Sequence, residues 1–369
     1  MRIYLHWPFC RSRCVYCDFN TRVAGDEKMK RYRSSLVMEM SDWSSWLPQE
    51  DRKVASLYIG GGTPSIISGE ELGALYREVG RRFHMKPGAE ISVEVNPATW
   101  SRQDFRAAAS SGINRFSIGV QSLDHDLLRL LGRPHNAEEA LRSVQYAQDA
   151  GDVVISVDLL YALPGESKGA LLTTLDRLLE LRPHHISLYA LTLEEKTPLA
   201  LMYDRGVITL PDEDNAADQY FSALEKLESE GYLQYEISNF SLPGYRCQHN
   251  LAYWRREQYL GLGAGAHSFL GGCRFHNVRS VLDYTKRMLR GLSPIEEWGV
   301  LTAEDGLFEA IMLGLRVCDG VPESLVSKRR DGLDELEKRG LLRRTEDRIL
   351  LTSRGMLLSN LVLMELLPV

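Results

Sequence analysis

Cys10, Cys14 and Cys17 stand on one short loop with the spacing C-x₃-C-x₂-C, and an aromatic residue, Tyr16, precedes the last of them. Iron–sulfur cubanes are usually held by four thiolates. Three thiolates on a single loop can wrap three irons and leave the fourth exposed. An exposed iron can chelate the amino and carboxylate groups of S-adenosylmethionine (SAM), and one electron can then cleave its C–S bond. That chemistry belongs to the cofactor, while the protein positions and shields it. Three duller readings stay open at this point. Structural zinc wants four ligands, and His6, the nearest further donor, precedes the loop. A disulfide is disfavoured in a reducing compartment, and the spacing could be accidental. Cys247, Cys273 and Cys318 are scattered and read as small buried hydrophobes.

The elements that must position this loop form a repeat. Apolar or β-branched runs at Arg2–Trp7, Val54–Ile59, Glu90–Val95, Arg115–Val120, Val153–Leu160 and His185–Leu191 alternate with helical patterns near 27–47, 69–83, 101–110, 136–150 and 168–181. Alternation of this kind is the signature of a parallel sheet. Six strand–helix steps predict an α/β fold built on a partial (β/α)6 barrel, with a doubly wound open sheet as the alternative. Either fold places function in the loops after the strand C-termini. Residues 1–210 form this unit. Residues 211–299 read as an extension, with a helix near 211–231 and then an irregular stretch rich in Gly, Tyr and Trp. Residues 300–369 change character again, with helices near 304–315, 321–327 and 331–339. Two short strands joined at Glu346–Asp347 and a last helix then make a mostly helical, winged-helix-like domain.

Composition sets the outer bounds. Hydrophobic residues make up 44% and charged residues 25% of the 369, the balance of an ordinary globular protein. A formal charge of −6 argues against a nucleic-acid partner, which needs a basic face. A DNA-binding winged helix is correspondingly disfavoured. No apolar run reaches the roughly 18–20 residues that span a bilayer, and MRIYLHWPFC lacks the basic-then-apolar pattern of a signal peptide. A cytoplasmic location is therefore expected.

The second strand runs into Gly60-Gly61-Gly62-Thr63-Pro64, where missing side chains permit a tight turn and a close backbone approach. Glu94 closes the third strand, Gln121 closes the fourth, Arg133 follows in LLGRPH, and Asp158 lies on the fifth. A charge in an apolar strand needs a partner or a ligand. Glu94 with Arg133 as a structural ion pair, and Tyr4 as core, are the bland alternatives.

The segment YLHWPFCRSRCVYCDF resembles the opening of the radical-SAM group that contains oxygen-independent coproporphyrinogen III oxidase and the HemW-type heme chaperones. The likeness runs over essentially the whole chain. It implies a radical-SAM barrel with a [4Fe–4S] cluster on Cys10, Cys14 and Cys17. It also implies a pocket for SAM, or for a second SAM-sized ligand, lined by Tyr4, Tyr16, Gly61, Gly62, Thr63, Glu94, Gln121, Arg133 and Asp158. The Gly run is placed against the amino group of the methionine portion. The oxidase has a further Cys where this chain has Phe19, and a long arm ahead of the residue matching Tyr4. Both departures point away from porphyrinogen decarboxylation.

His249-Asn250-Leu251-Ala252-Tyr253-Trp254 reads H-N-x-x-Y-W, the pattern associated with heme binding in the HemW branch. A neutral imidazole can ligate heme iron and aromatics can pack on the porphyrin. Structurally, His249 could equally cap or pack inside a domain junction. His267 and His276 are weaker candidates for a second axial ligand. The resemblance thus implies a heme chaperone that passes heme to acceptor proteins, respiratory ones among them, as a homodimer or near a membrane surface. A radical-SAM porphyrin enzyme is the alternative, and a winged-helix regulator a third reading. The basic filling of the cluster loop, Arg11-Ser12-Arg13, reads as a solvated loop.

Overall fold

The computed structural model describes residues 1–326 and 330–366. Residue 327, the end of the helix expected over 321–327, and residues 367–369 of the C-terminal unit lie outside the described residues. Six parallel strands, β1 (Arg2–Trp7), β2 (Lys53–Gly61), β3 (His84–Val95), β4 (Arg115–Gln121), β5 (Val154–Tyr161) and β6 (His185–Ala190), pair in chain order. A doubly wound sheet reverses its strand order part-way, so the sequential order selects the barrel winding. The crossovers carry α1 (Asp26–Trp46), α2 (Gly69–Arg82), α3 (Arg102–Ser110), α4 (His125–Leu130), α5 (Ala137–Gln148) and α6 (Lys168–Leu179). The short α4 was not expected from the periodicity.

Local sequence explains these elements. Residues Arg115 to Val120 of β4 are all buried, as parallel strands covered on both faces require. Helix α1 buries Tyr32, Leu36 and Met40, an i, i+4, i+8 stripe against the sheet. Ser68 with Glu71, Ser101 with Asp104 and Asn136 with Glu139 close capping boxes at the starts of α2, α3 and α5, satisfying helix N–H groups that would otherwise lack partners.

The sheet stays open and grows at both edges. The extension expected over 211–299 supplies six more strands: β7 (Leu233–Glu236), β8 (Asn239–Ser241), β9 (Tyr259–Leu262), β10 (His267–Leu270), β11 (Cys273–Asn277) and β12 (Ile295–Val300). The order across the twelve strands is β12-β11-β10-β9-β1-β2-β3-β4-β5-β6-β8-β7. β9 runs parallel to β1, whereas β10 to β12 continue antiparallel. Four helices accompany these strands: α7 (Pro198–Asp204), α8 (Glu213–Ser229), α9 (Gln248–Trp254) and α10 (Val281–Leu289).

Glu39 of α1 is fully buried. It accepts hydrogen bonds from Gly263 N at 2.8 Å, Asn277 Nδ2 at 2.6 Å and Tyr284 Oη at 2.6 Å, tying α1 to the β9–β10 turn, β11 and α10. Burial raises its pKa to about 7.

The C-terminal unit comprises α11 (Ala303–Gly314), β13 (Val321–Pro322), α12 (Arg330–Lys338), β14 (Leu342–Arg344), β15 (Arg348–Leu351), α13 (Ser353–Leu357) and α14 (Ser359–Leu366). It has its own apolar core around Leu315, Leu336, Ile349 and Val362. The strands expected on either side of Glu346–Asp347 pair antiparallel. Where a helix was expected over 321–327, the chain forms β13 and a single turn at Glu323–Leu325, with Val321 and Pro322 paired to Ile349 and Arg348 of β15. Glu309 on α11 fastens the unit to the sheet, pairing with Arg256 at 2.9 Å and Arg274 at 2.6 Å.

Candidate functional site

The chain leaves β1 at Trp7 and enters the cysteine loop at the C-terminal end of the parallel strands, where barrel sites form. Two backbone bonds pin the loop to the glycine turn after β2: Gly62 N donates to Trp7 O at 2.7 Å, and Thr63 N donates to Phe9 O at 2.8 Å. The Gly61 N–H is also used, donating to Glu94 Oε2 at 2.9 Å. Gly61 has φ +115°, and a Cβ there would run into the His6 ring. A Cβ on Gly62 would stand 2.7 Å from Phe9 O. These glycines therefore serve the approach of the cysteine loop to β2. All three N–H groups from Gly61 to Thr63 have protein acceptors.

Cys10, Cys14 and Cys17 all line one chamber of about 350 Å³, together with Tyr16, Gly61, Gly62 and Thr63. Glu94, Gln121, Arg133 and Asp158 line it too. All six cysteines are free thiols, which removes the disulfide reading. Among the described residues no group of three His, Cys, Asp or Glu is placed to hold a single metal ion. Three half-buried thiols on a common chamber suit a cubane, whose irons accept separate ligands. Burial pushes the Cys10 and Cys17 thiols up from their ordinary value.

Polar side chains already point at two of the sulfurs. Thr63 Oγ1 donates to Cys10 Sγ at 3.4 Å, and Arg133 Nη1 donates to Cys14 Sγ at 3.5 Å. Asn96 joins these two donors: its Nδ2 donates to Thr63 Oγ1 at 2.9 Å, and its Oδ1 accepts from Arg133 Nη2 at 2.8 Å. Arg133 also donates to Gly119 O at 2.7 Å. Glu94 and Arg133 form no ion pair among the described residues; Glu94 instead accepts from Tyr58 Oη at 3.0 Å. Burial raises the Glu94 pKa to about 7. Burial likewise raises that of Asp158, which accepts from Ser117 Oγ at 2.8 Å. Gln121 holds the left-handed conformation, φ +67°, a strained position for a non-glycine residue at a functional site. Asn96 and Tyr58 were missed from sequence. The only signal for Asn96 was its place just beyond β3, two residues after Glu94.

A second cavity, an open cleft of about 750 Å³, lies beside the chamber and shares Phe19, Gly61 and Glu94 with it. Tyr4 lines this cleft, its Oη 3.1 Å from His6 Nδ1. The H-N-x-x-Y-W residues divide. Asn250 lines the chamber and Tyr253 the cleft. Trp254 packs beside Cys247 and Val317 under the Arg316 guanidinium. His249 lines neither cavity. Its ring, 1% exposed, bonds through Nδ1 to Ser56 Oγ at 2.8 Å and through Nε2 to Tyr253 Oη at 2.9 Å. Burial lowers its pKa to about 3, so the ring is neutral. His267 and His276 face each other directly across β10 and β11, with ring centres 5.0 Å apart. Of the scattered cysteines, Cys247 is buried, while Cys273 and Cys318 are half-buried.

The Radical SAM superfamily pattern matches residues 4–178, and that of the HemN C-terminal domain matches residues 301–358. Heme chaperone HemW of Bacillus subtilis is 35% identical over 369 residues, spanning 97% of this chain and 96% of its own. The chain belongs to the HemW family. Heme chaperone HemW of Escherichia coli is 34% identical, over 98% of this chain and 97% of its own. Radical SAM membership implies a [4Fe–4S] cluster and SAM, and the donor set above fits both. The fold is also that of coproporphyrinogen III oxidase (HemN) from Escherichia coli, with a TM-score of 0.84 over 99% of this chain and 89% of that one at 23% identity. Among the described residues no helix is long and apolar enough to cross a membrane.

Proposed function

We propose that this HemW-family chain is a heme chaperone that binds heme and passes it to acceptor proteins, respiratory heme proteins among them. The supporting observation is 35% identity to Heme chaperone HemW along nearly all of both chains. Cys10, Cys14 and Cys17 are the residues to hold the [4Fe–4S] cluster. When bound, the cluster supplies an open iron that chelates SAM and an electron for its C–S bond.

The chain's own residues shape what binds. Thr63 and Arg133 donate to the cysteine sulfurs, and charge-assisted bonds of that kind favour thiolate over thiol. With its N–H groups engaged, the Gly61–Thr63 turn has only main-chain carbonyls to offer, which suit the ammonium end of SAM. Tyr4, Tyr16, Glu94, Gln121 and Asp158 complete the proposed SAM contacts, with Tyr4 approaching from the cleft side of the wall formed by Gly61 and Glu94. Phe19 occupies the position of the oxidase's extra cysteine and is 63% exposed, so it serves as an apolar contact and brings no thiol. In the H-N-x-x-Y-W motif, Asn250 and Tyr253 are the members that reach a cavity.

Anaerobic titration of the cluster-reconstituted protein with hemin, followed at the Soret band, tests the proposal. Saturation near one heme per chain supports it. No specific binding overturns it in favour of a radical-SAM porphyrin enzyme, whose mark is 5′-deoxyadenosine formed together with tetrapyrrole turnover.

A further inference from the structure

The cleft beside the cluster chamber holds side chains for which the cluster and SAM have no use. At about 750 Å³ it falls within the range of small-molecule sites, roughly 300–1,000 Å³. Aromatic groups line it: Tyr253 packs edge-on to Tyr259 with ring centres 4.6 Å apart, and Phe19 also lines the cleft. The β10–β11 ribbon presents His267 to the same cleft, exposed and with no hydrogen-bond partner among the described residues. His276 beside it is engaged, with Nδ1 3.2 Å from Asn277 O and Nε2 3.4 Å from Glu297 Oε2. Arg274 is held by Glu309. Arg279 also lines the cleft, and its guanidinium has no side-chain partner among the described residues. Aromatic faces, a free imidazole and a free guanidinium around one cleft match a flat apolar ligand that carries a metal and anionic arms.

We infer that this cleft is the heme seat, with His267 as the iron ligand, Tyr253, Tyr259 and Phe19 against the porphyrin and Arg279 toward a propionate. The inference rests on the heme-chaperone reading and changes what the H-N-x-x-Y-W motif does within it. His249 is a positioning residue: sealed in and bonded at both ring nitrogens, it fixes Tyr253, which faces the cleft. His276 lies on the same ribbon face as His267, with ring centres 5.0 Å apart, too close for a porphyrin to slot between the two rings. Iron seated here would take one imidazole from this ribbon, that of His267.

The test is anaerobic titration of the full-length, cluster-reconstituted protein with hemin and, separately, with metal-free protoporphyrin IX. For His267→Ala the expected result is loss of the imidazole-ligated Soret band, with protoporphyrin binding as in the wild type, which shows that the cleft still forms. Free imidazole added to His267→Gly should restore the band. Arg279→Ala should weaken both porphyrins. An unchanged hemin spectrum and affinity in His267→Ala overturns the ligand assignment, and so does equal loss of both porphyrins. If the wild type takes up no hemin, the chaperone reading itself falls and takes the inference with it.

Discussion

Arg133 gathers the polar contacts of the cysteine loop, reaching Cys14 Sγ, Asn96 Oδ1 and Gly119 O from a single guanidinium. Arg133→Met strands the last two acceptors in a buried setting, and each unmet group costs about 1–3 kcal/mol. Lower iron retention per chain after desalting is the expected outcome, and wild-type retention would show that the network is not holding the loop. Cys14→Ser should abolish the brown cluster absorbance outright; a variant that stays brown cannot be using Cys14 as a ligand. Glu39 makes a different prediction. Its pKa is raised from 4.5 to about 7 by burial, so the folded chain holds this proton more tightly than the unfolded one. Stability therefore falls as pH rises from about 4.5 to about 7, by at most about 3 kcal/mol from this group, and levels off above that. Urea midpoints at pH 5 and pH 7.5 should differ less in Glu39→Gln than in the wild type, and identical differences would reject the assignment. At this scale Cys10 and Glu94 were legible because chemistry-bearing types stand at or just beyond strand ends, and Arg133 because it is a charge in the loop that follows β4 and α4. Asn96 and Tyr58 were not, because they act through neighbours that only the register brings near. The surroundings of His249 were not legible for the same reason, since the register sets its contacts with Ser56 and Tyr253 and its residue type does not.

Among the elements, the six parallel strands could be read because each carries an apolar run and helices separate one from the next, those from α2 to α6 opened by a side-chain cap. The strands β7 to β12 could not. They are 3–6 residues long, lie among glycines and turns, and pair antiparallel except where β9 meets β1. The outermost, β12, is exposed from Glu296 to Val300 and carries no alternation to betray it. The glycine turn was legible as a motif, though its purpose was not. Gly62→Ala should drive a methyl group against Phe9 O, and overpacking of this kind costs about 1–3 kcal/mol. A lower melting midpoint together with reduced iron loading is expected. A drop in melting midpoint with full loading would show that the turn supports the sheet without supporting the cysteine loop.

At the scale of the whole molecule, the C-terminal unit has its own apolar core. It is tied to the rest of the chain by Glu309, by Asp319 pairing with Arg246 and Arg255, and by backbone bonds from Ile237 N to Arg316 O and from Cys318 N to Tyr235 O. The Glu309 side chain is 15% exposed and pairs with Arg256 and Arg274 together. Glu309→Ala should loosen that junction, read as faster proteolytic cutting between β12 and α11, and should leave Arg274 unpaired beside the cleft. Cleavage at the wild-type rate would place the junction's strength elsewhere.

Phe19, Gly61 and Glu94 form a wall common to the chamber and the cleft, so on the proposed reading SAM and heme would press on the same three residues. Any adjustment of Glu94 that SAM requires is already made, or already opposed, when the porphyrin arrives. Linkage makes this reciprocal: the factor by which SAM changes hemin affinity must equal the factor by which hemin changes SAM affinity. A chain built this way can report the state of its cofactor through the grip it keeps on its cargo, with one carboxyl group and one phenyl ring as the transmitting parts.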